Sequence, residues 1–266
     1  MDYKVINCDS ILKKITKKDT LFHGDYCLDP YQNCEFNCQY CDSSLEKTLY
    51  IKKNSIEVLQ NQLSSLPKGR IIIGSVHDPY QPAEKKYLLT QSILTLLQDY
   101  DFPCHILTKS PLVLRDIDLI SVLNCYVTIS ISSLDDHVVN IFEPQVSSPS
   151  DRLHTIQKLR MHHITTGVAL IPIFPYIVEP ELETIVKNAQ LNSAQYLLHK
   201  HLELKGEQKQ HFMNIIRTYY PQLVDQYTTL YQHSISPDKI YVQNINNTLA
   251  WYCRQFNIPD AIPRNK

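Results

Sequence analysis

Only 5 of the 266 residues are glycine. Neither a G-x-x-x-x-G-K phosphate loop nor a G-x-G-x-x-G turn can be assembled from them, which removes nucleoside-triphosphate and dinucleotide chemistry of those types. An excess of charge is also missing. Lys and Arg number 26 against 27 Asp and Glu, a formal net charge of −1, so the chain carries no electrostatic footprint for a polyanion. Long apolar runs are absent: the opening MDYKVINCDSILKKITKKD is interrupted by charges throughout and offers neither a signal peptide nor a spanning helix. A cytoplasmic protein with no membrane partner is expected. No Gly/Ser linker, repeat or low-complexity tract divides the chain, and one main domain is expected at this length.

Cysteine, by contrast, is present at 8 positions. Cys8, Cys27, Cys104, Cys125 and Cys253 are scattered among apolar segments, where in a reducing compartment a free thiol behaves as a small buried hydrophobe. The other three fall within NCEFNCQYCD, at Cys34, Cys38 and Cys41, with spacings of three and then two. A structural zinc wants four protein ligands. Cys27 or His23 could supply the fourth, which leaves open a non-enzymatic zinc- or cluster-stapled structural or interaction protein. Ferredoxin clusters use all-thiolate ligation at other spacings. Three thiolates on a cubane of four irons would leave one iron open to a ligand that is not protein.

Short apolar runs recur at Arg70–Val76, Cys104–Thr108, Cys125–Ser132, Thr166–Phe174 and Tyr196–Leu204, with a first at Tyr26–Asp29 just ahead of the cysteines. They read as strands. Between them, Ser55–Leu66, Glu84–Leu97, Leu112–Leu123, Asp151–His162 and Glu181–Leu191 carry helical spacing. Alternating strand and helix with near-continuously apolar strands predicts an α/β fold on a covered parallel sheet, with about six repeats, fewer than the eight of a full barrel. The expected division is an N-terminal segment (1–19), a partial barrel (20–205) and a C-terminal helical extension (206–266).

The motif C-x3-C-x2-C with an aromatic before its last cysteine, here Cys34, Cys38, Tyr40 and Cys41, resembles the radical S-adenosylmethionine (SAM) superfamily. The text around Asp29–Pro30–Tyr31, GSVHDPYQPAEKKY, ILTKSPLVLRDIDL and ISISS is similar to its spore photoproduct lyase-related group. The resemblance implies a partial (β/α)6 barrel, a [4Fe-4S] cluster held by Cys34, Cys38 and Cys41, and SAM on the fourth iron. It further implies reductive cleavage of SAM to a 5′-deoxyadenosyl radical, and a reduced flavodoxin- or ferredoxin-type electron donor. Carried over by position, Tyr40 would lie beside the adenine, Gly74 and Ser75 near the methionine amino group with Asp78 close behind, Lys109 at the carboxylate, and Ser130 and Ser132 at the ribose. Glu143 and Arg152, in FEPQVSSPSDR, are read as a loop ion pair; His77, His199 and His201 as packed or solvent-facing; and the 17 tyrosines as packing residues. A DNA lesion is the substrate that the group implies, a substrate the near-neutral charge does not support. Asn33 replaces the usual glycine before the first cysteine, and Asp42 the usual aromatic after the last. No cysteine between Asp42 and Pro103 supplies the thiol that such lyases use to return a hydrogen atom.

Overall fold

Ile71–Ile73 and Cys125–Ser130 are buried along their whole length, so each strand needs cover on both faces and neither can sit at a solvated surface. The computed structural model describes residues 1–263. Its ten strands, in chain order, are β1 (Asp2–Ile6), β2 (Leu12–Lys14), β3 (Tyr26–Leu28), β4 (Tyr31–Gln32), β5 (Thr48–Lys52), β6 (Ile71–Ile73), β7 (Cys104–Thr108), β8 (Cys125–Ser130), β9 (Thr165–Ile173) and β10 (Leu197–His201). The main sheet runs β10-β9-β8-β7-β6-β3-β2. Neighbours pair in parallel from β10 to β3, and β2 closes the edge antiparallel to β3. These are the six barrel strands expected from the apolar runs.

The helices are α1 (Ser55–Leu63), α2 (Glu84–Tyr87), α3 (Leu89–Asp99), α4 (Ile117–Val122), α5 (Asp136–Phe142), α6 (Pro149–Met161), α7 (Leu182–Leu191), α8 (Gly206–Tyr219), α9 (Val224–Leu230) and α10 (Lys239–Gln255). Two stretches expected as single helices are divided. Glu84–Leu97 breaks at Leu88, whose φ is 52°, because the buried Glu84 carboxylate accepts from the N–H groups of Thr90 and Gln91 and so caps a new helix start. Leu112–Leu123 opens as a 3-10 segment, Pro111–Asp116, entered through Ser110, which accepts from the Leu112 N–H. A second small sheet, β1-β5-β4, was not expected. Its strands are short or exposed on one face, and β1 meets β5 in parallel across more than forty intervening residues.

The barrel interior carries a polar chain. His105 Nε2 lies 2.6 Å from Thr128 Oγ1, which lies 2.7 Å from the Tyr196 hydroxyl. Burial lowers the His105 pKa to about 3, so the folded chain holds this ring neutral while the unfolded chain protonates it near 6.5. Unfolded chain then binds the extra proton, and stability from this group is complete above pH 6.5 and is lost as the pH falls towards 3. Denaturant melts should show that decline between pH 6 and 4, and His105→Gln should flatten it; an unchanged slope in the variant would place the acid sensitivity elsewhere.

At the C-terminal end of β6, Gly74 takes φ +89°, and a Cβ there would meet the Leu107 carbonyl oxygen and Pro79 Cδ at 2.5 Å each. Gly74→Ala should cost roughly 1–3 kcal/mol for the backbone conformation alone, read as a lower melting temperature. A melting temperature equal to the parent's would show that the loop after β6 has another path.

Candidate functional site

The cysteine loop leaves the barrel after β3 and returns as β5. Asn33 begins it with φ 79°, a left-handed turn that asparagine tolerates better than most residues. Its amide does what a glycine cannot: Oδ1 accepts from the Cys34 N–H at 2.8 Å and Nδ2 donates to the carbonyls of Glu46 and Thr48, tying both ends of the loop together. Buried Gln81 braces the loop from β6's side, accepting from the Glu35 N–H and donating to the carbonyls of Asn33 and Asp78.

Between this loop and the ends of β6, β7 and β8 lies a cavity of about 250 Å³. Cys34, Cys38, Cys41, Tyr40, Gly74, Ser75, Asp78, Lys109 and Ser130 all line it. Of the residues that the resemblance assigns to the cluster or to SAM, Ser132 alone does not; it is buried with no partner for its hydroxyl among the described residues. Asp78 lines the cavity, yet its carboxylate is spent on the scaffold. It accepts from Thr108 Oγ1 and the Lys109 N–H, both at 2.7 Å, and from the Tyr80 N–H at 2.9 Å. Burial pushes its pKa up against the pull of those donors. Asp78 thereby fixes the main chain of Lys109. Ser130 donates to the Ile171 carbonyl at 3.3 Å, a long bond that leaves its hydroxyl at the wall.

The thiols sit in apolar surroundings with Phe36, Tyr40 and Val146. Burial pushes Cys34 up to about 12, and Cys38 is raised further by burial although Lys109 opposes it. Such thiols give up their protons to a cationic metal centre, not to water. Among the described residues no group of three or more His, Cys, Asp or Glu side chains is placed to hold a metal ion. Three thiols spread along a cavity wall suit a cluster whose irons each take one sulfur, whereas a single zinc needs its sulfurs about 2.3 Å from one point. Of the candidate fourth ligands, Cys27 lies on β3, ahead of the cysteine loop, and His23 lies beyond the opposite end of that strand. No cysteine occurs between Asp42 and Pro103, but Cys27 of β3 stands in register with Ile72 of β6.

Glu143 and Arg152, expected as a loop ion pair, have side chains with no exposed surface. Arg152 Nη1 lies 2.7 Å from Glu143 Oε2 and donates to the Ser130 carbonyl. The Tyr40 hydroxyl donates to Glu143 Oε1 at 2.6 Å, and Lys109 Nζ stands 4.0 Å from the same oxygen. Arg152 and Lys109 hold the Glu143 carboxyl below its ordinary pKa in spite of burial. Sequence spacing alone could not separate this buried pair from a surface one. His199 and His201 are packed together on Asn246 Oδ1, as read.

A sequence model of the radical SAM superfamily matches residues 28–189. An uncharacterized protein of Mycobacterium bovis is 26% identical over 246 residues, covering 85% of this chain and 72% of its own. Another, from Methanocaldococcus jannaschii, is 29% identical over 167 residues, covering 59% and 63%. Among solved structures, spore photoproduct lyase complexed with dinucleoside spore photoproduct matches with a TM-score of 0.73 at 17% identity, over 97% of this chain and 80% of that one. Streptococcus suis SuiB bound to S-adenosylmethionine matches with a TM-score of 0.54 at 11% identity, over 75% and 47%. The family match spans more than half of the sequence, its cysteine motif lines the cavity, and the barrel is shared with solved radical SAM proteins: the chain belongs to the radical SAM superfamily.

Proposed function

We propose that the chain is an enzyme that cleaves SAM reductively at a [4Fe-4S] cluster held by Cys34, Cys38 and Cys41. The observation that carries the reading is the cavity itself, which the three motif cysteines and the largely buried Lys109 line together. When bound, the cluster supplies one electron to SAM, which gives methionine and a 5′-deoxyadenosyl radical able to remove a hydrogen atom from a substrate.

The chain's own residues bind, orient and exclude water. Lys109 offers a point charge to the SAM carboxylate. Ser75 and the backbone around Gly74, which no Cβ crowds, face the amino group, and Ser130 faces the ribose. Tyr40 stands beside the adenine, its ring held edge-on to Phe174 at 5.3 Å between centroids. Asp78 acts by fixing the main chain of Lys109. The barrel of residues 20–205 carries the chemistry, and residues 206–263 brace it. No helix among the described residues is long and apolar enough to cross a membrane, in keeping with a cytoplasmic enzyme served by a reduced flavodoxin- or ferredoxin-type donor. The structural neighbour is complexed with a dinucleoside spore photoproduct, and a lesion of this kind is the substrate class to test first, in a lyase-like reaction.

Anaerobically reconstituted and reduced chain should release 5′-deoxyadenosine from SAM. Cys34→Ala should lose both iron and product, since two remaining thiolates hold a cubane poorly, whereas Cys27→Ala should keep the iron and the SAM cleavage at a cost of about 1 kcal/mol of packing. Zinc-loaded protein with no cleavage under strong reductant, or equal iron loss in both variants, would contradict the ligand set.

A further inference from the structure

Glu143 has two full partners and one held at a distance. Arg152 and Tyr40 occupy it at 2.7 and 2.6 Å, while Lys109 Nζ, 4.0 Å from Oε1, is beyond hydrogen-bond reach. The Glu143 and Arg152 side chains have no exposed surface and that of Lys109 has 17%. Two cations, Arg152 and Lys109, thus share the Glu143 carboxylate, and only Arg152 is in close contact with it. The neighbouring Asp78 carboxylate does not complete Lys109, because its oxygens are taken by Thr108, Tyr80 and the Lys109 main chain. Among the described residues no side chain or carbonyl accepts a hydrogen bond from Lys109 Nζ. An ammonium is strongly hydrated and costly to leave without acceptors, so its free N–H groups, which face the cavity, call for an anionic ligand group.

The main chain of Lys109 is fixed at both ends: its N–H by Asp78 and its carbonyl by Ser147 Oγ at 2.9 Å. Its flexible four-carbon stem is not, and the Glu143 carboxylate is what attracts the head. Tyr40, on the cysteine loop, is tied to the same carboxylate oxygen, and its ring lies 5.9 Å from Lys109 Nζ. A single oxygen therefore sets the relation between the cysteine loop and the cation at the end of β7. Arg152 holds the carboxylate from its other oxygen, Oε2, by an ion pair, and donates to the Ser130 carbonyl at the end of β8.

We infer that Glu143 is a positioning residue for SAM: it holds the Lys109 ammonium aimed into the cavity and in register with Tyr40, so that the ligand carboxylate meets a cation already in place. This rests on the reading of the cavity as a SAM site. Glu143 touches no ligand in this account and acts through Lys109.

The test is a double-mutant cycle on the reconstituted full chain. SAM affinity is read from the SAM-dependent change in the EPR spectrum of the reduced cluster, with iron content and melting temperature measured alongside. Glu143→Gln should weaken SAM binding about tenfold or more, the size expected for a charge-assisted contact, with iron content equal to the parent's. Lys109→Met should weaken it at least as much. The double variant should be no weaker than Lys109→Met alone, because the first change has nothing left to act through. Should Glu143→Gln fail to fold with Arg152 left unpaired, Glu143→Gln combined with Arg152→Gln removes both charges and should show the same loss and the same non-additivity with Lys109→Met. Unchanged affinity, or losses that simply add, would overturn the positioning role while leaving the SAM site intact. A parent chain that holds no cluster and shows no SAM-dependent spectrum would overturn the site reading and this inference with it.

Discussion

One carboxylate buried away from water organises the mouth of this barrel. Glu143 follows α5, yet its contacts reach the cysteine loop through Tyr40, the end of β7 through Lys109 and the end of β8 through Arg152. A buried pair of this sort contributes little net stability against a well-packed apolar alternative, but losing one partner costs about 3–5 kcal/mol because the other charge is left without compensation. The pair therefore serves less to stabilise the fold than to fix one arrangement of two strand ends and a loop. Asp78 repeats the device on the other side of Lys109 with backbone N–H groups in place of a cation.

The C-terminal helices enter the same arrangement. Buried Gln208 of α8 donates to the Tyr40 carbonyl at 2.6 Å, and His211 Nε2 lies 2.8 Å from Gln39 Oε1. Below them Phe142, Phe174 and Phe212 stack with centroids 4.5 to 6.2 Å apart. The cysteine loop is thus held from the barrel side by Gln81 and Asn33 and from the outside by α8. Residues that read in the sequence only as polar and aromatic helical text form the outer wall of the site.

What could be read in advance follows from which forces are local. Apolar runs such as Cys125–Ser132 and Thr166–Phe174 announce buried parallel strands, because a strand covered on both faces has no polar side to show. The cysteine spacing announces ligands, because chelation by a short loop is itself a local constraint. Burial of Glu143 and Arg152 depends on what the rest of the chain lays over them, and nothing in FEPQVSSPSDR states it. The break at Leu88 was invisible for the same reason: it depends on Glu84 turning its carboxylate to the next helix, and on Arg115, 2.7 Å away, compensating the charge. The strand pairing of β1 with β5 joins segments far apart in sequence, and neither alternates cleanly enough to be seen alone. Asn33 looked like a departure from the family's glycine, yet its amide closes the loop that the glycine would only have permitted.

The central claim is that three thiolates leave one iron of a cubane for SAM. Mössbauer spectroscopy of the chain reconstituted with 57Fe, with and without SAM, addresses it directly. The account predicts a four-iron cluster in which adding SAM shifts the signal of one iron and leaves the other three; a cluster whose irons are all insensitive to SAM, or iron bound only as isolated ions, would contradict it.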